Sequence, residues 1–206
     1  MILVIGNYNY SSWSLRPWIA MKVLGFDFDE KRIPLYGPGA KHEILRHSPA
    51  GKVPVLLDGK TVVWDSLAIM EYLAEKDAKV WPANAADRAR ARSVSAEMHS
   101  GFANLRTHMS MNVRKRYPGK GRTPEVLSEI GRIEQIWSEA KGPFLFGPFS
   151  AADAMYAPVV LRFRTYDVNV AKRDYYDAML ALPAMQTWIA AAEREAESIP
   201  QFDMYE

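Results

Sequence analysis

The 206-residue sequence predicts an α/β unit of about eighty residues followed by an all-helical unit. Apolar runs of strand length, separated by turn residues, lie in the first part of the chain. Beyond Asp87 strand patterns become scarce, and the apolar residues recur at helical spacing. Hydrophobic content of 49% and charged content of 24% are typical of a protein with a well-filled core, so an ordered fold is expected.

A buried strand over Ile2–Gly6 is the first predicted element, and a serine-rich turn joins it to a helix that ends at Gly25. Ser12 or Ser14 is predicted to cap this helix, because a hydroxyl can accept hydrogen bonds from N–H groups of the first turn. Pro17 suits that first turn, since its missing N–H would have had no partner there.

The start of this first helix is electropositive, because its unpaired N–H groups and the helix dipole point the same way. The chain contains no cysteine, so thiol chemistry at this place needs a sulfur carried by a ligand. A serine hydroxyl can donate to that sulfur and, with the dipole, favour the thiolate, as helix N-termini do for cysteine when they lower its pKa of about 8.5. The alternative is that the serines only cap the helix and form the turn.

Two further strand signals complete the predicted sheet. The segment 26–33 alternates apolar and polar residues at its start and is expected to pair beside the first strand, which gives a βαβ unit. Asp58 and Gly59 stand between two apolar runs, and this dipeptide is typical of a β-hairpin turn.

Pro54 stands at the head of one of these strands, where it lacks a donor for the sheet. Only about 5–6% of X-Pro bonds are cis, so frequency alone predicts a trans Val53–Pro54 bond. A cis bond would instead turn the N–H and C=O of Val53 outward and offer a backbone edge to an extended peptide ligand.

Asp65 and Ser66 open the next predicted helix, which is apolar over more than half of its circumference. Its start is a second candidate anion site, at which a ligand carboxylate takes the Ser66 hydroxyl and the N–H groups that follow. The alternative is a plain N-cap.

The second unit follows a linker over 76–86. A capping-box pattern runs from Ser150 to Asp153, with the acidic residue three positions after the serine. Helices are predicted over 87–112, 124–140, 154–165, 175–180 and 185–197.

Composition excludes several classes of function. A net charge of +2 argues against nucleic acid or a membrane surface as the main partner, despite an isoelectric point near 8.7. Without cysteine there are no disulfides and no thiolate metal sites, and the four histidines show no metal-binding spacing, so no metal is expected. The N-terminus lacks the pattern of a signal peptide and no apolar run is long enough to span a bilayer, which predicts a cytoplasmic protein.

Four motifs together resemble the glutathione S-transferase family along nearly the whole chain. They are Ser11-Ser12-Trp13-Ser14-Leu15-Arg16, which is similar to the zeta-type signature Ser-Ser-Cys-Ser-x-Arg; Lys52-Val53-Pro54-Val55-Leu56, similar to the cis-proline turn; the acidic–serine pair Asp65-Ser66; and Gly147 to Asp153, similar to the capped core helix. Trp13 stands where the zeta class has cysteine, which leaves the zeta substrate class open.

The resemblance implies a thioredoxin-like, glutathione-binding N-terminal domain over residues 1–77. It implies a helical-bundle C-terminal domain over residues 87–206 that lines an electrophile site. It also implies glutathione as co-substrate, a homodimer, and a cis Val53–Pro54 bond, which reverses the expectation from frequency.

The resemblance also assigns roles to single residues. Val53 is implied to pair with the cysteinyl backbone of glutathione, Asp65 and Ser66 to hold its γ-glutamyl end, and Lys52 to lie near its glycyl end. Ser11 is the implied donor to the sulfur, with Ser12 the next candidate. Trp13 either walls the electrophile site or packs under the helix.

The function that follows is a transferase that activates the glutathione thiol and adds it to a small hydrophobic electrophile. The alternatives are a glutathione-dependent cis-trans isomerase of the maleylacetoacetate type and a non-catalytic interaction module on the same fold. Residues of one helical segment are candidates for the electrophile side, with ordinary core as the alternative: Met98, Phe102, Leu105, Met109 and Met111.

Overall fold

The computed structural model describes residues 1–205 and has a four-stranded mixed sheet in its first part. The strands are β1 (Ile2–Ile5), β2 (Asp29–Arg32), β3 (Val55–Asp58) and β4 (Thr61–Trp64), in the order β2-β1-β3-β4. β1 and β2 are parallel, whereas β3 runs antiparallel to both β1 and β4. The predicted βαβ unit and the hairpin at Asp58 and Gly59 are therefore confirmed.

Helices make up the regular structure of the rest of the described chain, which confirms the fold class. Those associated with the sheet are α1 (Ser12–Leu24), α2 (Ala40–Leu45) and α3 (Ser66–Lys76). The following helices are α4 (Ala85–Ser100), α5 (Ala103–His108), α6 (Pro124–Ser138), α7 (Ala151–Tyr166), α8 (Arg173–Ala181) and α9 (Pro183–Arg194), and short 3₁₀ turns lie at Ala78–Val80 and Pro200–Phe202. Within residues 1–205, no helix combines the length and the apolar character that crossing a bilayer requires.

Helix α1 is the element on which the two units meet. It packs against α3 from the sheet unit and against α7 and α9 from the helical unit. Trp18 of α1 is 1% exposed and meets Trp188 of α9 edge-on, with 5.1 Å between ring centroids. Each large apolar side chain buried in this way contributes about 1.5–3 kcal/mol, so the position of α1 is fixed by packing on both sides.

The predicted capping box at the start of α7 is confirmed. Asp153 is fully buried, and one carboxylate oxygen accepts from the N–H of Ser150 at 2.9 Å and from its hydroxyl at 3.1 Å. The other oxygen accepts from the N–H of Leu145 at 2.9 Å. Burial raises the pKa of Asp153 to about 6, an effect that these hydrogen bonds oppose.

The predicted cap of α1 is wrong. The helix begins at Ser12, so Ser11 is its N-cap, and the Ser11 side chain makes no capping hydrogen bond. Ser14 accepts instead from the N–H of Gly6, and Pro17 lies inside the helix rather than in its first turn. The helix starts earlier than its apolar spacing indicates because its first residues are polar or face a cavity. The predicted end is confirmed, with Gly25 left-handed at φ 80°.

Candidate active site

A cavity of about 980 Å³ opens between the sheet unit and the helical unit. Its walls come from the start of α1, the turn before β3, the start of α3, and parts of α4, α5 and α7. All of the site residues predicted from the sequence line it, namely Ser11, Ser12, Trp13, Lys52, Val53, Pro54, Asp65 and Ser66. The fold thus brings into one cavity residues from three separate segments.

Ser11 lies at the start of α1 and is 6% exposed. Its Oγ is 2.8 Å from the Oγ of Ser14, which is fully buried. Ser14 Oγ in turn accepts from the N–H of Gly6 at 3.0 Å. Ser11 lines the cavity without capping the helix, so the positive end of the helix dipole lies at the cavity wall.

Ser12, the next residue, is held from the helical unit. Its Oγ accepts from Nη2 of Arg162 at 3.4 Å, and Arg162 also donates to the carbonyl of Met109. The two neighbouring serines therefore differ in their partners, because Ser11 contacts a neutral hydroxyl and Ser12 contacts a cation.

Trp13 is half-buried at the cavity and is surrounded by cationic side chains. The guanidinium carbon of Arg16 lies 4.3 Å from the centroid of the Trp13 ring, and that of Arg106 lies 4.9 Å away. His99 meets the same ring edge-on at 5.3 Å. The indole is thus part of the cavity wall, and it screens part of the positive charge behind it.

Three arginines give the cavity its electrostatic character. Arg16 is 3% exposed, and burial followed by repulsion from Arg106 and Arg162 lowers its pKa to about 9. Burial and the proximity of Arg106 lower the pKa of Arg162 to about 10, and burial lowers the pKa of Arg106. All three remain protonated at neutral pH. Anionic groups are therefore favoured where Arg106 and Arg162 line the cavity.

The sequence analysis did not identify Arg106 or Arg162. One signal was available for Arg162, because it is a cation within the largely apolar segment 151–166, and a charged residue in such a segment is seldom buried without a partner. For Arg106 no such signal exists, since it lies in a short helix of mixed composition.

The Val53–Pro54 peptide bond is cis, so the trans bond expected from frequency alone is wrong. The bond lies directly before β3 and lines the cavity. Lys52 is exposed beside it, and Lys41 donates to the carbonyl of Gly51 at 2.9 Å. This side of the cavity therefore carries a backbone edge next to two ammonium groups.

Asp65 is the N-cap of α3 and has φ 77°, a region that non-glycine residues rarely adopt. Its Oδ1 accepts from the N–H groups of Leu67 at 2.8 Å and Ala68 at 3.3 Å. The expectation that a ligand takes the N–H groups after Ser66 is therefore wrong for these two, because the Asp65 side chain already occupies them. Ser66 itself still lines the cavity.

His99 of α4 approaches the second oxygen of this carboxylate. Its Nε2 is 3.3 Å from Oδ2 of Asp65, and it lines the cavity from the helical unit. Burial lowers the pKa of His99, and nearby Arg16 and Arg106 lower it further against the opposing effect of Asp65. The ring is consequently neutral at pH 7 and does not cancel the charge of Asp65.

For the five candidates on the electrophile side, the alternative of ordinary core is confirmed at four positions. Met111 lines the cavity. The others, Met98, Phe102, Leu105 and Met109, are at most 6% exposed and belong to the hydrophobic core. Apolar residues at helical spacing face the core first, and cationic and polar side chains occupy the places these residues were expected to fill.

A thioredoxin-like mixed sheet, a helical unit packed on it and a polar cavity between them define a two-domain protein of the transferase type. Two family models match the chain, the glutathione S-transferase N-terminal domain over residues 10–76 and the glutathione S-transferase C-terminal domain over residues 122–191. The chain belongs to the glutathione S-transferase family.

Relatives and solved structures agree with this membership. A probable maleylacetoacetate isomerase of Caenorhabditis elegans is 27% identical over 175 residues, which cover 82% of each chain. A glutathione transferase homologue from Burkholderia gl BGR1, with bound glutathione, has a TM-score of 0.72 at 22% identity and covers 94% of this chain and 98% of its own. A bacterial maleyl pyruvate isomerase of the zeta class has a TM-score of 0.71 at 20% identity, with coverage of 96% and 100%. The two structures support the fold.

Proposed function

We propose that the protein binds glutathione in this cavity, holds its thiol as the thiolate beside Ser11, and presents it to a small electrophile. The observation that carries the proposal is the start of α1, where the N-cap hydroxyl lines the cavity and makes no capping bond. A thiolate there gains a hydroxyl donor and the positive end of a helix. The chain supplies no cysteine of its own, so the sulfur comes from the ligand.

The other predicted residues bind the remaining parts of glutathione. The backbone of Val53, beside the cis bond, pairs with the cysteinyl unit, and Lys52 attracts the glycyl carboxylate. Asp65 and Ser66 hold the γ-glutamyl end, whose amine is attracted by the negative charge of the Asp65 carboxylate. The unfavourable φ of Asp65 supports this role, because conformations that cost about 1–3 kcal/mol persist mainly at binding sites.

Ser11 acts by stabilising charge rather than by removing a proton. Its hydroxyl donates to the sulfur more strongly as the thiol ionises, so the thiol pKa falls and more thiolate is present at neutral pH. The cavity then holds the sulfur close to an electrophile, which converts an encounter in solution into a reaction within one complex. A donor of this kind contributes about 10²-fold in rate.

Two measurements test the proposal. The protein is expected to be retained on immobilised glutathione and to turn over a chromogenic aryl halide, and Ser11→Ala is expected to lower kcat/KM about 10²-fold. If Ser12→Ala loses the activity and Ser11→Ala keeps it, the donor is Ser12. A protein that shows neither retention nor turnover is an interaction module on this fold, and the proposal is then wrong.

A glutathione-dependent cis-trans isomerase is the second candidate, and the arginines favour it. Arg106 and Arg162 line the cavity next to the serines, so they suit a substrate with carboxylate groups better than a purely hydrophobic electrophile. In such a reaction the thiolate adds to a conjugated double bond, the resulting single bond rotates, and the thiolate leaves again. The isomerase names of the relatives agree with this candidate.

The proposal includes three further points that follow from family resemblance. The protein acts as a homodimer in the cytoplasm. Its glutathione-binding domain extends over residues 1–77, and its helical domain over residues 87–206. Size-exclusion chromatography with light scattering measures the assembly directly, and a monomer at micromolar concentration would contradict it.

A further inference from the structure

A short chain of hydrogen bonds ends at the hydroxyl of Ser11. It begins at the N–H of Gly6, passes through Oγ of Ser14 at 3.0 Å, and reaches Oγ of Ser11 at 2.8 Å. Ser14 is fully buried, whereas Ser11 lines the cavity. These hydrogen bonds therefore connect the end of β1 to the place where the glutathione sulfur is proposed to bind.

The direction of the proton in the Ser11–Ser14 bond follows from the number of acceptors. Oγ of Ser14 receives the N–H of Gly6, so its own proton needs an acceptor. Among residues 1–205, Ser11 Oγ is the acceptor that lies within hydrogen-bond distance. If Ser11 donated instead, the Ser14 proton would be buried without a partner, which is unfavourable. Ser14 is thus the donor, and the proton of Ser11 is free for the cavity.

The close approach of β1 and α1 depends on Gly6. A Cβ atom at Gly6 would lie 2.7 Å from a side-chain carbon of Leu35 and 3.1 Å from Cβ of Ser11. A larger residue would therefore displace the Leu35 side chain and crowd the Ser11 turn. The same close approach brings the Gly6 N–H within reach of Ser14.

We propose that Ser14 is a positioning residue, which directs the hydroxyl proton of Ser11 toward the glutathione sulfur. Ser14 is fully buried and, unlike Ser11, is not among the residues that line the cavity, so it does not touch the ligand. It acts by keeping the Ser11 oxygen occupied as an acceptor, so that the single proton of Ser11 is available to the thiolate. Each donor in such a series also polarises the next one. The inference rests on the proposed thiolate site and adds the residue that orients its donor.

The test is a double-mutant cycle read by the pKa of the bound glutathione thiol, followed through the ultraviolet absorbance of the thiolate. Ser11→Ala is expected to raise this pKa by about one to two units, the equivalent of one hydrogen bond to the charged form. Ser14→Ala is expected to raise it by about half a unit and to lower kcat/KM about 3-fold. In the Ser11→Ala background, Ser14→Ala is expected to have no further effect on the thiol pKa.

Ser95→Ala is the matched control. Ser95 is also fully buried in a helix, and its Oγ has no hydrogen-bond partner among residues 1–205. Its removal is expected to leave the thiol pKa unchanged. If Ser14→Ala also leaves the pKa unchanged, or shifts it equally in both backgrounds, Ser14 has only a structural role and the inference is wrong.

A second measurement covers the case in which Ser14→Ala fails to fold. In a crystal structure of the wild-type protein with glutathione, Ser11 Oγ is expected within hydrogen-bond distance of both the sulfur and Ser14 Oγ. A Ser11 hydroxyl that has left Ser14 to reach the sulfur would overturn the inference. The proposed function fails separately, if wild-type protein binds glutathione without lowering its thiol pKa.

Discussion

Helices α1 and α3 both begin at the same cavity, but their N-cap residues act differently. Asp65 of α3 accepts from two N–H groups of its own helix, whereas Ser11 of α1 accepts from none. A cap of the first kind contributes about 0.5–2 kcal/mol to the fold. The start of α1 lacks that contribution, and it is the place where we propose that the glutathione thiolate binds. An N-cap position can therefore serve either the stability of the fold or, as proposed for Ser11, the binding of a ligand.

The charges around the two helix starts differ in the same way. Ser12 of α1 meets the guanidinium of Arg162, while the start of α3 carries the carboxylate of Asp65. An anion is therefore favoured at α1, and a ligand ammonium group is favoured at α3. Glutathione carries both, since its thiolate and its γ-glutamyl amine are separated along one extended chain.

The start of α7 is a third case, in which the hydrogen bonds of the cap are buried and serve stability alone. It therefore gives the upper limit of what a cap contributes to stability. Asp153→Ala removes an acceptor for three hydrogen bonds and leaves buried N–H groups at Ser150 and Leu145 unpaired. The free energy of unfolding is expected to fall by about 3 kcal/mol. Urea denaturation measures it, and a loss below about 1 kcal/mol would show that water replaces the carboxylate.

The same carboxyl predicts a pH dependence of stability. The pKa of Asp153 in the folded protein is about 6, above its ordinary value of 3.8. Between these values the folded state binds more protons than the unfolded state, so this group makes stability fall as the pH rises from about 4 to about 6. Asp153→Asn is expected to remove this part of the slope in denaturation curves recorded across that range.

The α7 start was also the part of the chain that the sequence predicted best. A serine followed three residues later by an acidic residue is a local pattern, and its hydrogen bonds close within one turn. The hairpin at Gly59 and the end of α1 at Gly25 were predicted for the same reason. Each depends on a few adjacent residues and on backbone conformations that only certain residues adopt.

The parts that could not be predicted depend on contacts between distant segments. The isomer of the Val53–Pro54 bond followed from resemblance, because local frequency favours trans. Arg106 and Arg162 reach the cavity only once α5 and α7 pack near α1. The contacts of Trp13 with Arg16 and Arg106 depend on the same packing, so the sequence left open whether this residue walls the site or packs under the helix.

Arg162→Gln tests the difference in charge between the two helix starts. Loss of the cation beside Ser12 is expected to raise KM for a carboxylate-bearing electrophile about 10-fold, since a charge-assisted hydrogen bond contributes about 1.5–3 kcal/mol. KM for a neutral electrophile is expected to change less than about 2-fold. Steady-state kinetics with a matched pair of electrophiles measures both.

The control for this variant is Arg164→Gln. Arg164 lies on the same helix two residues later, is not among the residues that line the cavity, and approaches Glu193 at 4.0 Å. It should leave both KM values unchanged. If Arg162→Gln raises both KM values equally, the arginine stabilises the fold or positions Ser12, and it does not bind the carboxylate of the substrate.

The last prediction compares the free energy of unfolding of variants at the two N-cap residues. Its expected effect is the smallest, but it tests the difference between the two helix starts most directly. Asp65→Ala removes a working cap and is expected to lower the free energy of unfolding by about 1 kcal/mol. Ser11→Ala removes a hydroxyl that makes no capping bond but that accepts the buried Ser14 proton, so the substitution is made in the Ser14→Ala background, where it is expected to change the free energy of unfolding by less than about 0.5 kcal/mol. Urea denaturation of each variant beside its own background measures the difference.

Asp65→Asn separates the two roles of Asp65, because the amide keeps an oxygen that accepts from the N–H groups of Leu67 and Ala68. Compared with Asp65→Ala, the Asn variant is expected to regain the stability of wild type. Its KM for glutathione is nevertheless expected to exceed that of wild type, since it lacks the charge that we propose faces the γ-glutamyl amine. If Ser11→Ala destabilises the Ser14→Ala protein as much as Asp65→Ala destabilises wild type, the Ser11 hydroxyl caps α1 in solution. The two helix starts would then differ in charge alone, and the sulfur donor would have to be sought at Ser12.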